Sequence, residues 1–234
     1  VEEITGNTER HYVINYTYEE LQNFNFGYKF VDQEQNKPYE NLLSGVSNEN
    51  RKEVIAANNL NIVRIADLFA RYYEEYPELL YIVEIKNDGD LGKEAADILH
   101  RLLTFDYPNL VNKVVIGTFH TEISQYLEKT YPELLTGASI GTAAKFIITQ
   151  MLRINLLYKG SFVCLQIPMS YKIKGIKLQL AKQNYIDRAH RCNIAVQYWT
   201  INQEADMRTL IDMGVDAIMT DNPKLLTEVL SSYK

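Results

Sequence analysis

The sequence predicts an α/β protein built on a parallel sheet. Two observations carry this. From about residue 60 onward, short apolar runs alternate with longer amphipathic ones, and the alternation repeats six times. The chain, at 234 residues, is also long enough for a sizeable core. Repeated strand–helix pairs imply parallel strands joined by right-handed crossovers. Such a sheet is covered on both faces or closed into a barrel.

The strands are expected at 80–86, 113–118, 135–138, 161–166, 195–200 and 217–220. Between them lie helical periods. "NIVRIADLFARYYEEY" puts Ile62, Ile65, Leu68 and Phe69 on one stripe, and "GKEAADILHRLLTF" does the same with Ala96, Leu99 and Leu103. "TEISQYLEKTYPE" has Thr121 as its expected N-cap. "IGTAAKFIITQMLRIN" is the most apolar helix, and "IKLQLAKQNYIDRAHRC" reads as the next one. "QEADMRTLIDMG" is stopped by Gly214 at the position after its C-cap. "NPKLLTEVL" carries Pro223 in its first turn, with Asp221 as the expected N-cap. The first 60 residues differ: they are polar and aromatic, largely loop, with Thr17 and Glu20 spaced as a capping box for a short helix. "YPELL" occurs at 76 and again at 131, each time before a strand, and reads as shared punctuation, not a repeat. The expected organisation is therefore a single domain over 1–234, with a lead-in over 1–60 and βα repeats over 61–234.

Composition narrows the function classes. At 46% hydrophobic and 23% charged, with a net charge of −6, the chain reads as an ordinary globular protein. No Lys/Arg-rich run is present to neutralise a phosphate backbone, which argues against nucleic acid as a partner. No stretch reaches the roughly 18 apolar residues of a membrane span. Cys164 and Cys192 both sit in apolar or helical contexts and read as two buried thiols, not a bridge. The chain opens on "VEEITGNTER", without Met or signal peptide, and is read as beginning partway through something larger.

In parallel βα architectures the working groups project from the C-terminal ends of the strands. Those ends hold Glu84 and Lys86, then Thr118, Phe119 and His120, then Gln166, then Trp199, Thr200 and Asn202, then Thr220, Asp221 and Asn222. Glu84 and Lys86 lie two apart in a strand and so face the same way. A carboxylate there can hold a hard cation, and a lysine can meet a phosphate oxygen. The two can equally well pair with each other, and Trp199 taken alone reads first as a packing residue. Of the four histidines, His100 and His190 fall in helices, His11 in the polar lead-in, and only His120 near a strand exit, where a structural role is the simpler reading. No Ser/His/Asp order, CxxC, HExxH or dinucleotide-binding glycine motif is present.

Several segments together resemble one family. "IVEIK", "VVIGTFHTE" and, most specifically, "VQYWTINQEADMRTLIDMGVDAIMTDNPKLL" resemble glycerophosphodiester phosphodiesterases of the bacterial type. "TGNTERHYVINYTYEELQNFNFGYKF" is similar to the family's segment that follows its first catalytic strands. The resemblance implies a (βα)8 TIM-barrel type of fold, represented here by an incomplete barrel of about six βα units. It implies hydrolysis of glycerophosphodiesters to glycerol 3-phosphate and an alcohol, with a divalent cation, Mg²⁺ or Ca²⁺. Glu84 maps to a metal ligand, Lys86 to a group facing the phosphate, and Trp199 to the glycerol side of the pocket; Gln166 is taken as a further substrate-binding residue. The family's His-Arg, Glu-x-Asp and His-Asp strands have no counterpart here. Both catalytic histidines are therefore expected upstream of Val1, and this chain alone is expected to be inactive. Any membrane anchor is likewise expected only upstream, and the compartment stays open between membrane-associated and cytoplasmic. Two other readings remain: a non-catalytic barrel remnant that binds phosphate or glycerol, and a Schiff-base aldolase using Lys86, which the adjacent Glu84 disfavours by keeping the lysine protonated.

Overall fold

The computed structural model describes residues 12–32, 34–151, 162–173 and 175–233. The chain divides into two compact units, Val1–Glu75 and Tyr76–Lys234. The first holds short helices: α1 (Tyr18–Leu21), α2 (Arg51–Ala57) and α3 (Ile65–Tyr72). The capping box of α1 is formed as the spacing predicts, with Thr17 and Glu20 each accepting from the other's backbone N–H. Ile55 and Phe69 are fully buried in this unit.

The second unit carries the sheet. Its strands are β1 (Tyr81–Glu84), β2 (Val114–Gly117), β3 (Leu135–Thr136) and β4 (Cys164–Ile167). After the hairpin β5 (Ser170–Ile173) and β6 (Ile176–Gln179) come β7 (Ala195–Tyr198) and β8 (Ala217–Ile218). The order β1-β2-β3 and β4-β7-β8 is parallel throughout. A parallel bridge between Gly137 and Cys164 joins the two halves, with Ala138 N donating to Cys164 O at 2.9 Å. Six parallel strands thus follow one another in chain order, as the sequence predicts, and among the described residues the sheet does not close.

Helices alternate with the strands: α4 (Gly89–Arg101), α5 (Thr121–Thr130), α6 (Ile140–Met151), α7 (Gln183–Arg191), α8 (Glu204–Asp212) and α9 (Pro223–Ser231). Their buried stripes lie against the outward side chains of the strands. Ala96, Leu99 and Leu103, expected on one face, are all buried. One cluster joins Leu165, Ile167, Val196 and Tyr198 of the sheet to Phe146, Ile186, Met207, Leu210 and Val229 of the helices. The Tyr198 hydroxyl donates to Leu180 O at 3.1 Å, and burial pushes its pKa up to about 12.

Four local expectations are corrected. Residues 176–179, expected as the start of a helix, form β6; β5 pairs with it antiparallel, and Gly175, at φ 84°, takes the left-handed turn that an L side chain resists. Helix α5 begins at Thr121 with His120 in the cap position, and no side chain caps it. Asn222, not Asp221, caps α9, its Oδ1 accepting from Leu225 N at 3.1 Å. Both cysteines are free, but only Cys164 is buried; Cys192, at the end of α7, is exposed. His11 and residues 152–155 of the expected apolar helix lie outside the described residues. Gly214, at φ 72°, follows the C-cap of α8 as expected.

Candidate active site

At the C-terminal ends of the strands lies a pocket of about 360 Å³. Alternation sets the contribution of β1, and the other strands add residues at and just past their ends. From β1 come Ile82, Glu84 and, just beyond, Lys86; from β2, Gly117, Thr118 and Phe119; from β4, Gln166. Past β7 stand Trp199 and Thr200, and past β8 Thr220 and Asp221. The structure brings together all four side chains singled out in the sequence, Glu84, Lys86, Gln166 and Trp199.

Glu84 and Lys86 pair directly, Oε2 to Nζ, at 2.6 Å. The lysine side chain is 75% exposed and the glutamate 33%, so this pair opens to the pocket. Phe119 and Trp199 meet across the mouth, ring centroids 5.7 Å apart and planes at 67°, an edge-to-face contact. It joins the ends of β2 and β7, which are not neighbours in the sheet. The Trp199–Thr200 peptide bond is cis.

Asn202 ties the last two strand ends together. Its Oδ1 accepts from Asp221 N at 2.9 Å and from Thr220 Oγ1 at 3.1 Å, while its Nδ2 donates to Asp221 Oδ2 at 2.9 Å. Asp221 is therefore a held carboxylate at the rim. His120 does not line the pocket but bonds two residues that do: its Nε2 lies 3.0 Å from Lys86 O, and its backbone N donates to Thr118 Oγ1 at 3.1 Å. Among the described residues no histidine lines the pocket.

A divalent cation does not find a complete site here. Among the described residues no three His, Cys, Asp or Glu side chains gather as a metal would need. Glu84 is a hard oxygen donor of the right kind, but its carboxylate is engaged by Lys86. It fits as one ligand of a larger set and not as a site by itself.

The sequence placed Phe119 at a strand exit but not against Trp199, and it missed Gly117 and Gly137 beside Gln166. Phe119 stands at a strand exit, yet its partner comes from a strand distant in the chain. Glycine inside or just past a strand is the available signal for a close approach. A Cβ on Gly117 or on Gly137 would lie 3.1 Å or 2.9 Å from Gln166 Oε1.

Comparison with known proteins gives the family and the fold. The family model "Glycerophosphoryl diester phosphodiesterase family" matches residues 2–225. Among curated proteins, a dermonecrotic toxin from Loxosceles deserta, LdSicTox-alphaIB1av, is 35% identical over 63 residues, which is 26% of this chain and 20% of the toxin. Among solved structures, the glycerophosphoryl diester phosphodiesterase domain of an uncharacterized Mycobacterium tuberculosis protein superposes with a TM-score of 0.69 at 11% identity, covering 96% of this chain and 78% of that one. An Oleispira antarctica phosphodiesterase, solved in complex with the product sn-glycerol-3-phosphate, gives 0.54 at 16% identity, covering 76% of this chain and 66% of that one. The chain thus matches only a fifth of the toxin and just under two thirds of the Oleispira protein. At these identities the likeness shows the fold, a barrel of the TIM type.

Proposed function

Because the chain belongs to the glycerophosphoryl diester phosphodiesterase family, we propose that its pocket serves hydrolysis of glycerophosphodiesters to glycerol 3-phosphate and an alcohol. One observation carries the reading. Three strands, separated along the chain, deliver Glu84, Lys86, Gln166 and Trp199 to a single cavity at their C-terminal ends. Supporting it, the Oleispira relative holds sn-glycerol-3-phosphate.

In this reading the Lys86 ammonium opposes the charge of the phosphodiester. Trp199, backed by Phe119, packs on the carbon chain of the glycerol and keeps water from that side. Gln166 hydrogen-bonds the substrate from the floor. A divalent cation, Mg²⁺ or Ca²⁺, would neutralise charge on the diester when bound, with Glu84 as one of its ligands. The remaining donors and the acid–base histidines come from residues other than those lining the described pocket. The 234 residues alone then bind substrate without appreciable turnover.

The test is titration of the chain with sn-glycerol 3-phosphate, together with a hydrolysis assay on a glycerophosphodiester. Binding that Lys86→Ala weakens supports the site; no binding rejects it. That no histidine lines the pocket among the described residues favours one second reading, a binding module that never hydrolyses. Turnover by any longer form of the protein, lost on Glu84→Ala, would reject it. The Schiff-base reading finds no support: Lys86 is solvated and paired to a carboxylate, not desolvated as a nucleophilic lysine must be. A borohydride-trapped adduct with a carbonyl substrate would revive it.

A further inference from the structure

Gln166 and Gln197 face each other in the register of β4 and β7. Gln166 Nε2 donates to Gln197 Oε1 at 2.9 Å. Both are half-buried, but only Gln166 lines the pocket. Its amide does not stand up from β4. It lies back across the two preceding strands, with Oε1 over Gly137 and Gly117, where a Cβ would approach it to 2.9 Å and 3.1 Å. Gly117 in turn pairs with Glu84 in β1. Two glycines on adjacent strands therefore clear a track along which the amide reaches from β4 toward the Glu84–Lys86 pair.

That placement leaves the amide half committed. One Nε2 proton goes to Gln197; among the described residues no protein donor is bonded to Oε1, which keeps both lone pairs. An amide oxygen fixed on the floor of a phosphate-binding pocket is an acceptor for a hydroxyl. We propose that Gln197 is a positioning residue: it locks the Gln166 amide so that Oε1 accepts a hydrogen bond from a hydroxyl of the ligand. The site thereby selects hydroxylated, glycerol-like phosphate esters over phosphate esters of plain alcohols. The inference rests on the reading of the pocket as a glycerophosphate site and adds the group that recognises the polyol.

The experiment is calorimetric titration of the full 234-residue chain with sn-glycerol 3-phosphate and with ethyl phosphate, which has the phosphate but no hydroxyl. The wild-type chain should prefer glycerol 3-phosphate roughly tenfold, the worth of about one net hydrogen bond. Gln197→Met keeps the volume but removes the acceptor. Gly137→Ala places a methyl group where the amide lies, and the flexible end of Gln166 must move aside. Both variants should bring glycerol 3-phosphate down to the level of ethyl phosphate and leave ethyl phosphate unchanged, while Gln197→Glu, which still accepts, should restore the preference. Equal loss of both ligands in Gln197→Met and Gly137→Ala would make the role merely structural and overturn the proposal. So would an intact preference in either folded variant, or equal binding of the two ligands by the wild type. If the wild type binds neither, it is the pocket reading itself that fails.

Discussion

Along β4 the two faces of one strand do different work. Leu165 and Ile167 point outward under the helices and are 1% and 5% exposed. Gln166 points inward, over glycines, to the pocket. The same split runs through β1, where Tyr81 and Ile85 are buried while Ile82 and Glu84 face the cavity. Alternation in a strand lets evolution adjust the inner set with little effect on the outer one. Stability and site should therefore respond to different substitutions.

The largest separation is expected at β4. Leu165→Ala opens a cavity in the main core and should cost about 2–5 kcal/mol, read as a fall in the denaturation midpoint at unchanged slope. Lys86→Ala, on the inner side, should leave the midpoint in place, since an exposed ion pair contributes about 0–1 kcal/mol. It should instead weaken glycerol 3-phosphate binding roughly tenfold, as loss of a charged hydrogen-bond donor does. A midpoint shift for Lys86→Ala as large as that of Leu165→Ala would erase the contrast between the faces. At the rim, Asn222→Ala removes the one side-chain cap of α9 and should cost about 1 kcal/mol in thermal unfolding. Asp221→Ala should cost less stability than that, because Asp221 caps nothing and only meets Asn202.

These contrasts also mark how far the sequence could be read. The six parallel strands were legible because each is an apolar run between amphipathic stretches, and a run buried under helices needs no alternation to be recognised. Strand exits were legible for the same reason, and with them Glu84, Lys86, Gln166 and Trp199. The hairpin at β5 and β6 was not: "IKLQL" places its apolar residues alternately, but it runs into the helical period of α7 without a break. The cap of α9 was off by one residue because Asp and Asn are both good N-caps and only geometry chooses. The Phe119–Trp199 contact and the track over Gly117 and Gly137 depend on sheet curvature, which brings side chains together across strands that no local pattern relates.

The mildest test changes no residue. Cys164 sits on the inner side of β4 below the pocket, its Sγ 3.4 Å from where a Cβ on Gly137 would be, and is 1% exposed; Cys192 is exposed. Burial pushes the Cys164 thiol up from 9.0 to about 12. A folded-state pKa raised in this way contributes stability that is fully present below pH 9 and lost as pH climbs toward 12. At pH 8 the thiolate of Cys164 is negligible, and only the thiolate reacts. An aromatic disulfide reagent at pH 8 should therefore release one equivalent quickly from the native chain and two after denaturation, the fast one mapping to Cys192 by peptide mass. Two fast equivalents from native protein would mean that water reaches the layer beneath Gln166, so that the polar pocket extends down the inner face and the dry support under its floor does not exist.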